Sequence, residues 1–138
     1  MQVKDAMHKG TTCVELNTPV REIAKRMRDD DIGAIPVRTD GKLVGMVTDR
    51  DITCRAVAGG SDLAKLTAQD VMTKNAICCS PEDDIAAAIK TMETKKIRRL
   101  PVTDSGGIVG MLSLGDVSHK AGNEMSGEVL RAVSAHHR

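Results

Sequence analysis

Residues 44–52 read VGMVTDRDI, and residues 109–117 read VGMLSLGDV. In both stretches an apolar run of β type ends at a hydroxyl side chain, and an aspartate follows three residues later. The match extends outward with a constant shift of 65 residues: across residues 3–52 and 68–117, fourteen of fifty positions are identical without a gap. Average residue frequencies would give roughly a few chance identities, so the chain contains a duplicated unit.

Each copy contains a segment with the periodicity of an amphipathic helix. Residues 20–27 and 85–92 place apolar side chains at positions i, i+3, i+4 and i+7, the pattern of a helix with one buried face. Thr18 followed by Pro19 predicts an N-cap with proline in the first turn. In the second copy, Ser80 and the three residues after it predict a helix that begins one turn earlier.

Two short runs of β type follow each helix. Residues 34–48 and 99–113 each contain two such runs joined by a turn with glycine, a pattern typical of hairpins. Pro36 and Pro101 have no backbone donor, so they favour strand starts or edges. The elements therefore follow the order β-α-β-β-α twice, which predicts an α+β fold.

This order predicts three segments of chain. A first repeat covers residues 1–60, a second repeat covers residues 61–122, and a helical tail covers residues 123–138. Each repeat alone has a small core, so we expect the two sheets to pack together with the helices outside. The predicted tail helix places these residues on one face: Met125, Val129, Ala132, Val133 and His136.

Composition excludes several classes of protein. The 138 residues carry a formal net charge of +1 and contain no Phe, Tyr or Trp, so nucleic-acid binding through aromatic stacking or a basic field is not expected. No stretch has the length and hydropathy of a membrane span, and the N-terminus lacks the apolar run of a signal peptide, so we expect a cytoplasmic protein. The four cysteines form no CxxC motif and the four histidines are scattered, which predicts free thiols and no metal site.

Two interpretations fit the [Thr/Ser]-x-x-Asp elements, which pair Thr48 with Asp51 and Ser113 with Asp116. Each pair can be a capping box, in which the hydroxyl and the carboxylate cap the start of a helix. Alternatively, the aspartate accepts hydrogen bonds from a vicinal diol such as a ribose, while the hydroxyl and the N–H groups of the helix start hold a phosphate or sugar. The residues alone leave both interpretations open.

The two copies resemble the pair of CBS domains (cystathionine-β-synthase domains) called a Bateman module. Each copy has a hydrophobic-Pro-Val strand and a [Thr/Ser]-x-x-Asp element, and VTDRDI at residues 47–52 and IRRLPV at residues 97–102 are particularly close to the family pattern. The resemblance extends to about Asp116–Lys120 and is to small stand-alone bacterial CBS-pair proteins. It implies tandem repeats with pseudo-twofold symmetry, a homodimer, and a regulatory role without catalysis or a catalytic cofactor.

The resemblance also implies an adenosine-containing ligand in the cleft between the repeats. The candidates are AMP, ADP, ATP and NAD, with S-adenosylmethionine less favoured. In the first site, Asp51 is implied to hold the ribose hydroxyls, and Thr48 to bond the ribose or phosphate. Arg98 and Arg99 are implied to reach the phosphates. The adenine slot is implied to be lined by Thr12, Cys13, Ile32, Gly33, Ala34, Ile35 and Pro36.

A second site is implied around Ser113 and Asp116. Its facing positions in the first repeat, Gly33 and Ala34, carry no charge, so a less charged ligand, or none, is expected there. The remaining residues implied for this site are Ile77, Cys78, Ile97, Leu100 and Pro101.

The predicted function is a regulatory sensor of energy or redox state. It binds an adenine nucleotide and signals through a conformational change to an unidentified downstream protein. Two other classes stay open: a protein-interaction scaffold in which Asp51 and Asp116 only cap helices, and an enzyme, either a cysteine-dependent redox protein or a nucleotide hydrolase. The enzyme is less favoured, because the sequence contains neither an activated nucleophile nor a metal cluster.

Overall fold

The computed structural model describes residues 1–135 and separates them into two compact units. The unit that we call the first-repeat unit comprises Thr12–Ala76. The second-repeat unit joins Met1–Thr11 to the chain from Ile77 onward. The units therefore divide the chain at places other than the boundaries of the sequence repeats.

Helices and strands follow nearly the same order in the two copies, which confirms the α+β class. In chain order they are α1 (Val3–Ala6), β1 (Val14–Glu15), α2 (Val20–Asp30), β2 (Ala34–Thr39), β3 (Lys42–Thr48), α3 (Asp49–Asp51), a π-helix (Ile52–Val57), a 3-10 turn (Leu63–Lys65), α4 (Ala68–Val71), β4 (Thr73–Lys74), α5 (Ile85–Lys95), β5 (Arg99–Asp104), β6 (Gly107–Ser113), α6 (Leu114–Ala121), a second 3-10 turn (Gly122–Met125) and α7 (Ser126–Ser134).

The strands of the first-repeat unit pair in the order β1-β2-β3-β4. β1 is parallel to β2, and β2 and β3 form the predicted hairpin, with Ala34 opposite Thr48. The turn of this hairpin places Asp40 and Gly41 at φ values of 53° and 77°. Two successive left-handed residues give a tight turn whose twist matches that of the strands. β4 pairs antiparallel with the other edge of β3.

The face of α2 that the periodicity predicts is buried. Val20, Ile23 and Met27 lie in a hydrophobic cluster with strand residues such as Val37 and Val47. A side chain of this kind contributes about 1.5–3 kcal/mol when it is fully buried. Packing against the sheet therefore stabilises α2, which has only 11 residues and would be marginal alone.

The second-repeat unit has the same sheet arrangement, but single β-bridges replace the two short outer strands. β5 and β6 form the second predicted hairpin. Cys79 makes a parallel bridge with Val102, at the place that β1 has in the first-repeat unit, and His8 makes an antiparallel bridge with Met111, at the place of β4. The residues of α5 that the periodicity predicts to be buried are all buried: Ile85, Ala88, Ile89 and Met92.

Each unit is completed by a short segment from outside its own repeat. α1 buries Val3 and Ala6 in the core of the second-repeat unit, where the Val3 N–H donates to the Asp83 carbonyl at 2.8 Å. α4 buries Ala68 and Val71 in the core of the first-repeat unit. The segment that begins each copy of the repeat is therefore structured and contributes to the core of the other unit.

The predicted N-cap at Thr18 is wrong. α2 begins at Val20 with Pro19 in the N-cap position, and the Thr18 Oγ1 accepts a hydrogen bond from the Glu15 N–H at 3.1 Å instead. The first N–H of the helix, that of Val20, donates to the Leu66 carbonyl at 2.9 Å. A distant residue thus satisfies the donor that a local cap would have served.

The earlier start predicted for the second helix is also wrong. α5 begins at Ile85, because the Asp84 Oδ1 accepts the Ala86 N–H at 3.0 Å and caps the helix there. The Ser80 N–H donates to the Asp83 Oδ2 at 2.9 Å, which closes a separate turn before the helix. A cap four residues downstream therefore takes precedence over the Ser-Pro start signal.

The two copies differ after the [Thr/Ser]-x-x-Asp element. In the first, α3 continues as the π-helix Ile52–Val57, whereas α6 in the second is a regular α-helix. The predicted helix end and linker over residues 55–67 contain the end of this π-helix and the 3-10 turn. Single π turns inserted in helices are frequent at functional sites.

The predicted tail helix is present as α7. Its Ala132 is buried, and Met125, Val129 and Val133 pack against the core of the second-repeat unit. Residues 136–138, which include His136 of the predicted apolar face, lie outside the described residues. Within residues 1–135, no helix combines the length and the apolar character needed to cross a bilayer.

Glycine in β3 and β6 allows the segments that follow α4 and α1 to pack closely against these strands. A Cβ atom on Gly110 would lie 2.7 Å from the His8 carbonyl oxygen, and one on Gly45 would lie 2.8 Å from the Thr73 carbonyl oxygen. We expect Gly110→Ala and Gly45→Ala each to lower the free energy of unfolding by about 1–3 kcal/mol, the usual effect of overpacking. Urea unfolding followed by circular dichroism measures this.

The matched control is Gly115→Ala. A Cβ there would meet only the Ser113 Oγ at 3.6 Å, and Gly115 lies in α6. Alanine is favoured over glycine in a helix, so this variant should be at least as stable as the wild type. If Gly110→Ala and Gly45→Ala unfold like the wild type, the close packing of His8 and Thr73 on the sheets is contradicted.

Candidate functional site

One edge of the first-repeat sheet gathers the residues of the first candidate site. The end of β3 lies beside the start of β2, because Thr48 is opposite Ala34. The Asp49 N–H donates to the Gly33 carbonyl at 3.0 Å and joins the start of α3 to the same place. β1 is parallel to β2, so the residues before both strands meet at this edge. The structure thus brings together Thr12, Cys13, Ile32, Gly33, Ala34, Ile35, Pro36, Thr48 and Asp51.

Thr48 and Asp51 form a reciprocal pair of hydrogen bonds. The Thr48 N–H donates to the Asp51 Oδ2 at 2.9 Å, and the Asp51 N–H donates to the Thr48 Oγ1 at 3.1 Å. This is the capping box that one interpretation of the sequence predicts. A carboxylate has about four acceptor positions, so the box leaves capacity for a ligand. The two interpretations of the sequence are compatible.

The second oxygen of Asp51 faces a cation. Asp51 Oδ1 lies 3.8 Å from the Arg55 Nε, and the Asp51 side chain is only 13% exposed. The Arg55 Nη1 donates to the carbonyls of Met72 at 2.9 Å and Val71 at 3.4 Å. Arg55 stands outside the sites predicted from the sequence, although its i+4 spacing from Asp51 on a predicted helix indicates such a contact.

The second-repeat unit builds the same arrangement. The Ser113 N–H donates to the Asp116 Oδ2 at 3.1 Å, and the Asp116 N–H donates to the Ser113 Oγ at 3.0 Å. The Leu114 N–H donates to the Arg98 carbonyl at 3.1 Å, and Arg99 is opposite Ser113. Both arginine side chains are exposed.

The apolar residues of the two candidate sites differ in burial. Ile35 and Leu100 have no exposed surface and belong to the two hydrophobic cores. Ile32 and Ile97 are half-buried beside them, and Ile77 is 37% exposed. The flanking prolines, Pro36 and Pro101, are buried. The partly exposed residues are therefore the ones whose side chains can meet a ligand.

Burial raises the pKa of two cysteine thiols at these edges, Cys13 and Cys79. Burial, with smaller effects of Asp83 and Cys78, raises the pKa of Cys79 to about 12. Burial likewise raises the pKa of Cys13, against a smaller lowering effect of Arg38. Cys54, Cys78 and Cys79 form no disulfide, and no cluster of metal ligands occurs among residues 1–135. An activated nucleophile needs a lowered pKa, so neither Cys13 nor Cys79 supports cysteine catalysis.

Comparison with known proteins agrees with this geometry. The profile of the CBS domain matches residues 3–56 and 68–122. The chain is 36% identical over 133 residues, 96% of this chain and 94% of the relative, to the CBS domain-containing protein YhcV of Bacillus subtilis.

Two solved structures with bound ligands are also similar. The CBS domain pair of protein MJ0100, in complex with 5′-methylthioadenosine and S-adenosyl-L-methionine, matches with a TM-score of 0.80 and 27% identity, covering 90% of this chain and 98% of that one. CBSX2 in complex with AMP matches with a TM-score of 0.78 and 26% identity, covering 87% and 95%.

The fold and its two edges define a tandem-repeat α+β protein in which each repeat carries one hydroxyl–carboxylate pair at a strand-to-helix junction. The chain belongs to the CBS domain family, with two copies of the domain. The resemblance stated from the sequence is confirmed.

The difference in reactivity between the Cys78 and Cys79 thiols can be measured with a thiol reagent. At pH 8 we expect Cys78, which is exposed, to react fast, and the buried Cys79 to react at least tenfold more slowly, because only the thiolate attacks. The rate at Cys79 should keep rising with pH toward a pKa of about 12. Mass spectrometry of the labelled peptides measures both rates, with Cys78→Ser and Cys79→Ser separating the adjacent residues. Equal rates at pH 8 would contradict the burial of Cys79.

Proposed function

We propose that this protein is a regulatory sensor, not an enzyme, that binds an adenosine-containing ligand at the edge built by Thr48 and Asp51. The observation that carries the proposal is the half-buried Asp51 carboxylate, whose Oδ2 is held by the Thr48 N–H while Oδ1 makes only a 3.8 Å ion pair. A carboxylate held in this way is ready to accept hydrogen bonds from a ribose diol without reorganising. The complexes of MJ0100 and CBSX2 support adenosine chemistry.

The adenine is proposed to lie among the partly exposed residues of the same edge. The chain contains no Phe, Tyr or Trp, so the base is proposed to contact aliphatic side chains and peptide groups. Ile32 supplies apolar surface, and Thr12 and Cys13, both half-buried, supply the other side of the slot. Ile35 contributes through its backbone, because its side chain is in the core.

Arg98 and Arg99 are proposed as the cations for the ligand phosphates. Guanidinium groups bind phosphate through two parallel hydrogen bonds, and both side chains are exposed and free to reorient. The matching positions of the first repeat are Gly33 and Ala34, which carry no charge. We therefore propose that the site of Ser113 and Asp116 takes a less charged adenosine compound, or none.

The signalling part of the proposal follows from population shift. A ligand that binds one conformation more tightly than another increases the population of that conformation. We propose that the nucleotide acts in this way on a homodimer in the cytoplasm, and that an unidentified downstream protein recognises the result.

Isothermal titration calorimetry with AMP, ADP, ATP, NAD and S-adenosylmethionine tests the proposal. We expect saturable binding of at least one nucleotide, and AMP should bind more tightly than adenosine because Arg98 and Arg99 contact the phosphate. Thermal unfolding gives a second measurement, since a ligand at 100 times its Kd stabilises the folded state by about 2.7 kcal/mol. No heat and no stabilisation with all five compounds would contradict the proposal and favour the interaction scaffold. Release of ADP or AMP from ATP with Mg²⁺ would instead favour a nucleotide hydrolase.

Asp51→Asn tests the carboxylate. Asparagine retains an acceptor for the Thr48 N–H but loses the charge that strengthens the bonds to a ribose, which is worth about 1.5–3 kcal/mol. We expect a Kd for the nucleotide about 10- to 100-fold higher.

The matched control is Asp5→Asn. Asp5 Oδ2 accepts the Gln2 N–H at 2.8 Å in a capping box of the same kind, and Asp5 lies outside both candidate sites and outside the segment that Arg55 contacts. Its substitution should reproduce any loss of stability and leave the Kd unchanged. If Asp51→Asn binds as tightly as the wild type, Asp51 does not hold the ribose.

A further inference from the structure

We propose that Arg55 is a positioning residue, which orients the Asp51 carboxylate and joins it to the α4–β4 segment (residues 68–74). The proposal deepens the proposed function, because it rests on Asp51 as a ligand group. Arg55 belongs to no motif of the sequence and was not among the candidate site residues. Its contacts lie wholly within the first-repeat unit.

The guanidinium of Arg55 lies between the Asp51 carboxylate and two carbonyls at the end of α4. Its Nε is 3.8 Å from the Asp51 Oδ1. Its Nη1 donates to the carbonyls of Met72 at 2.9 Å and Val71 at 3.4 Å. The planar fork of arginine holds these donors in one rigid arrangement. A contact at one end therefore restricts the position of the other end.

The anchor of this arrangement is firmly packed. Val71 is 1% exposed and Met72 is 7% exposed, and both belong to the core of the first-repeat unit. The carbonyls at the end of α4 lack partners inside the helix, so Arg55 satisfies acceptors that the short helix cannot. Because the Met72 carbonyl is held in place, Arg55 restricts the orientation of the Asp51 carboxylate, whose side chain is only 13% exposed.

The second repeat supplies an internal comparison. Lys120 occupies the position that matches Arg55 at the shift of 65 residues. Among the residues that the structure describes, Asp116 makes its capping box but has no ion pair within 4.0 Å. A lysine ammonium is a single point charge without a planar fork. The two sites therefore differ in how their carboxylates are held, and the Arg55 contacts favour the first site for ligand binding.

The first experiment needs no ligand. We expect Arg55→Gln to shift the NMR amide signal of Thr48, whose N–H reports on the Asp51 carboxylate, and to speed hydrogen exchange of the Met72 amide, which donates to the Ala68 carbonyl at 2.9 Å. Lys120→Gln should leave both signals, and that of Ser113, unchanged. An unchanged Thr48 signal in Arg55→Gln would overturn the proposal.

The second experiment is a double-mutant cycle on nucleotide binding. We expect Arg55→Gln to raise the Kd for AMP about 3- to 30-fold, which lies within the range for coupled polar neighbours, and to change it by less than about twofold in an Asp51→Asn background. Arg55→Lys, which keeps the charge and loses the fork, should give an intermediate Kd. Thermal unfolding of each variant separates affinity from stability.

The outcomes separate this proposal from the proposed function. An equal effect of Arg55→Gln in both backgrounds means that Arg55 acts on the ligand independently of Asp51, which overturns the positioning role. If the wild type binds none of the nucleotides, the proposed function fails, and the Thr48 amide still decides whether Arg55 positions Asp51.

Discussion

The structure of both candidate sites depends on one interaction, the capping box. In it, a carboxylate at the start of a helix and the hydroxyl residue three positions before it exchange hydrogen bonds. They occur at the ends of β3 and β6, where the Thr48–Asp51 and Ser113–Asp116 pairs convert a strand into a helix. The first turn of a helix has N–H groups without a partner inside the helix. Because each capping box satisfies such a group, it fixes the residue at which the strand ends and the helix begins. It also holds a carboxylate half-buried at the sheet edge, where a polar ligand can reach it.

The duplication produces two junctions of the same geometry with different surroundings. In the first, Arg55 contacts both Asp51 and the end of α4, and the helix continues as a π-helix. In the second, Lys120 stands at the matching position and α6 is regular. Two copies of one sequence pattern therefore give two junctions whose carboxylates have unequal surroundings.

The lack of aromatic residues shapes both cores and the site. The cores consist of Ile, Leu, Val, Met, Ala and one buried cysteine, and no buried polar or charged residue occurs in the described part of the chain. Aliphatic side chains pack through many small contacts. The cores therefore tolerate little added volume where the segments after α1 and α4 pack against β6 and β3. The same constraint leaves aliphatic side chains and peptide groups as the main surface of the candidate sites.

The duplication, the α+β order, both hairpins and the buried faces of α2 and α5 follow from the sequence alone, which also predicts the Thr48–Asp51 capping box as one of two open interpretations. These features are local or periodic, so a few neighbouring residues contain the whole signal. Tertiary structure decided the rest. The start of α2 depends on the Leu66 carbonyl, α1 and α4 lie in units outside their own repeats, and Arg55 meets Met72 across 17 positions of sequence. Such contacts join residues that no local pattern relates, because their partners come together only when the chain has packed.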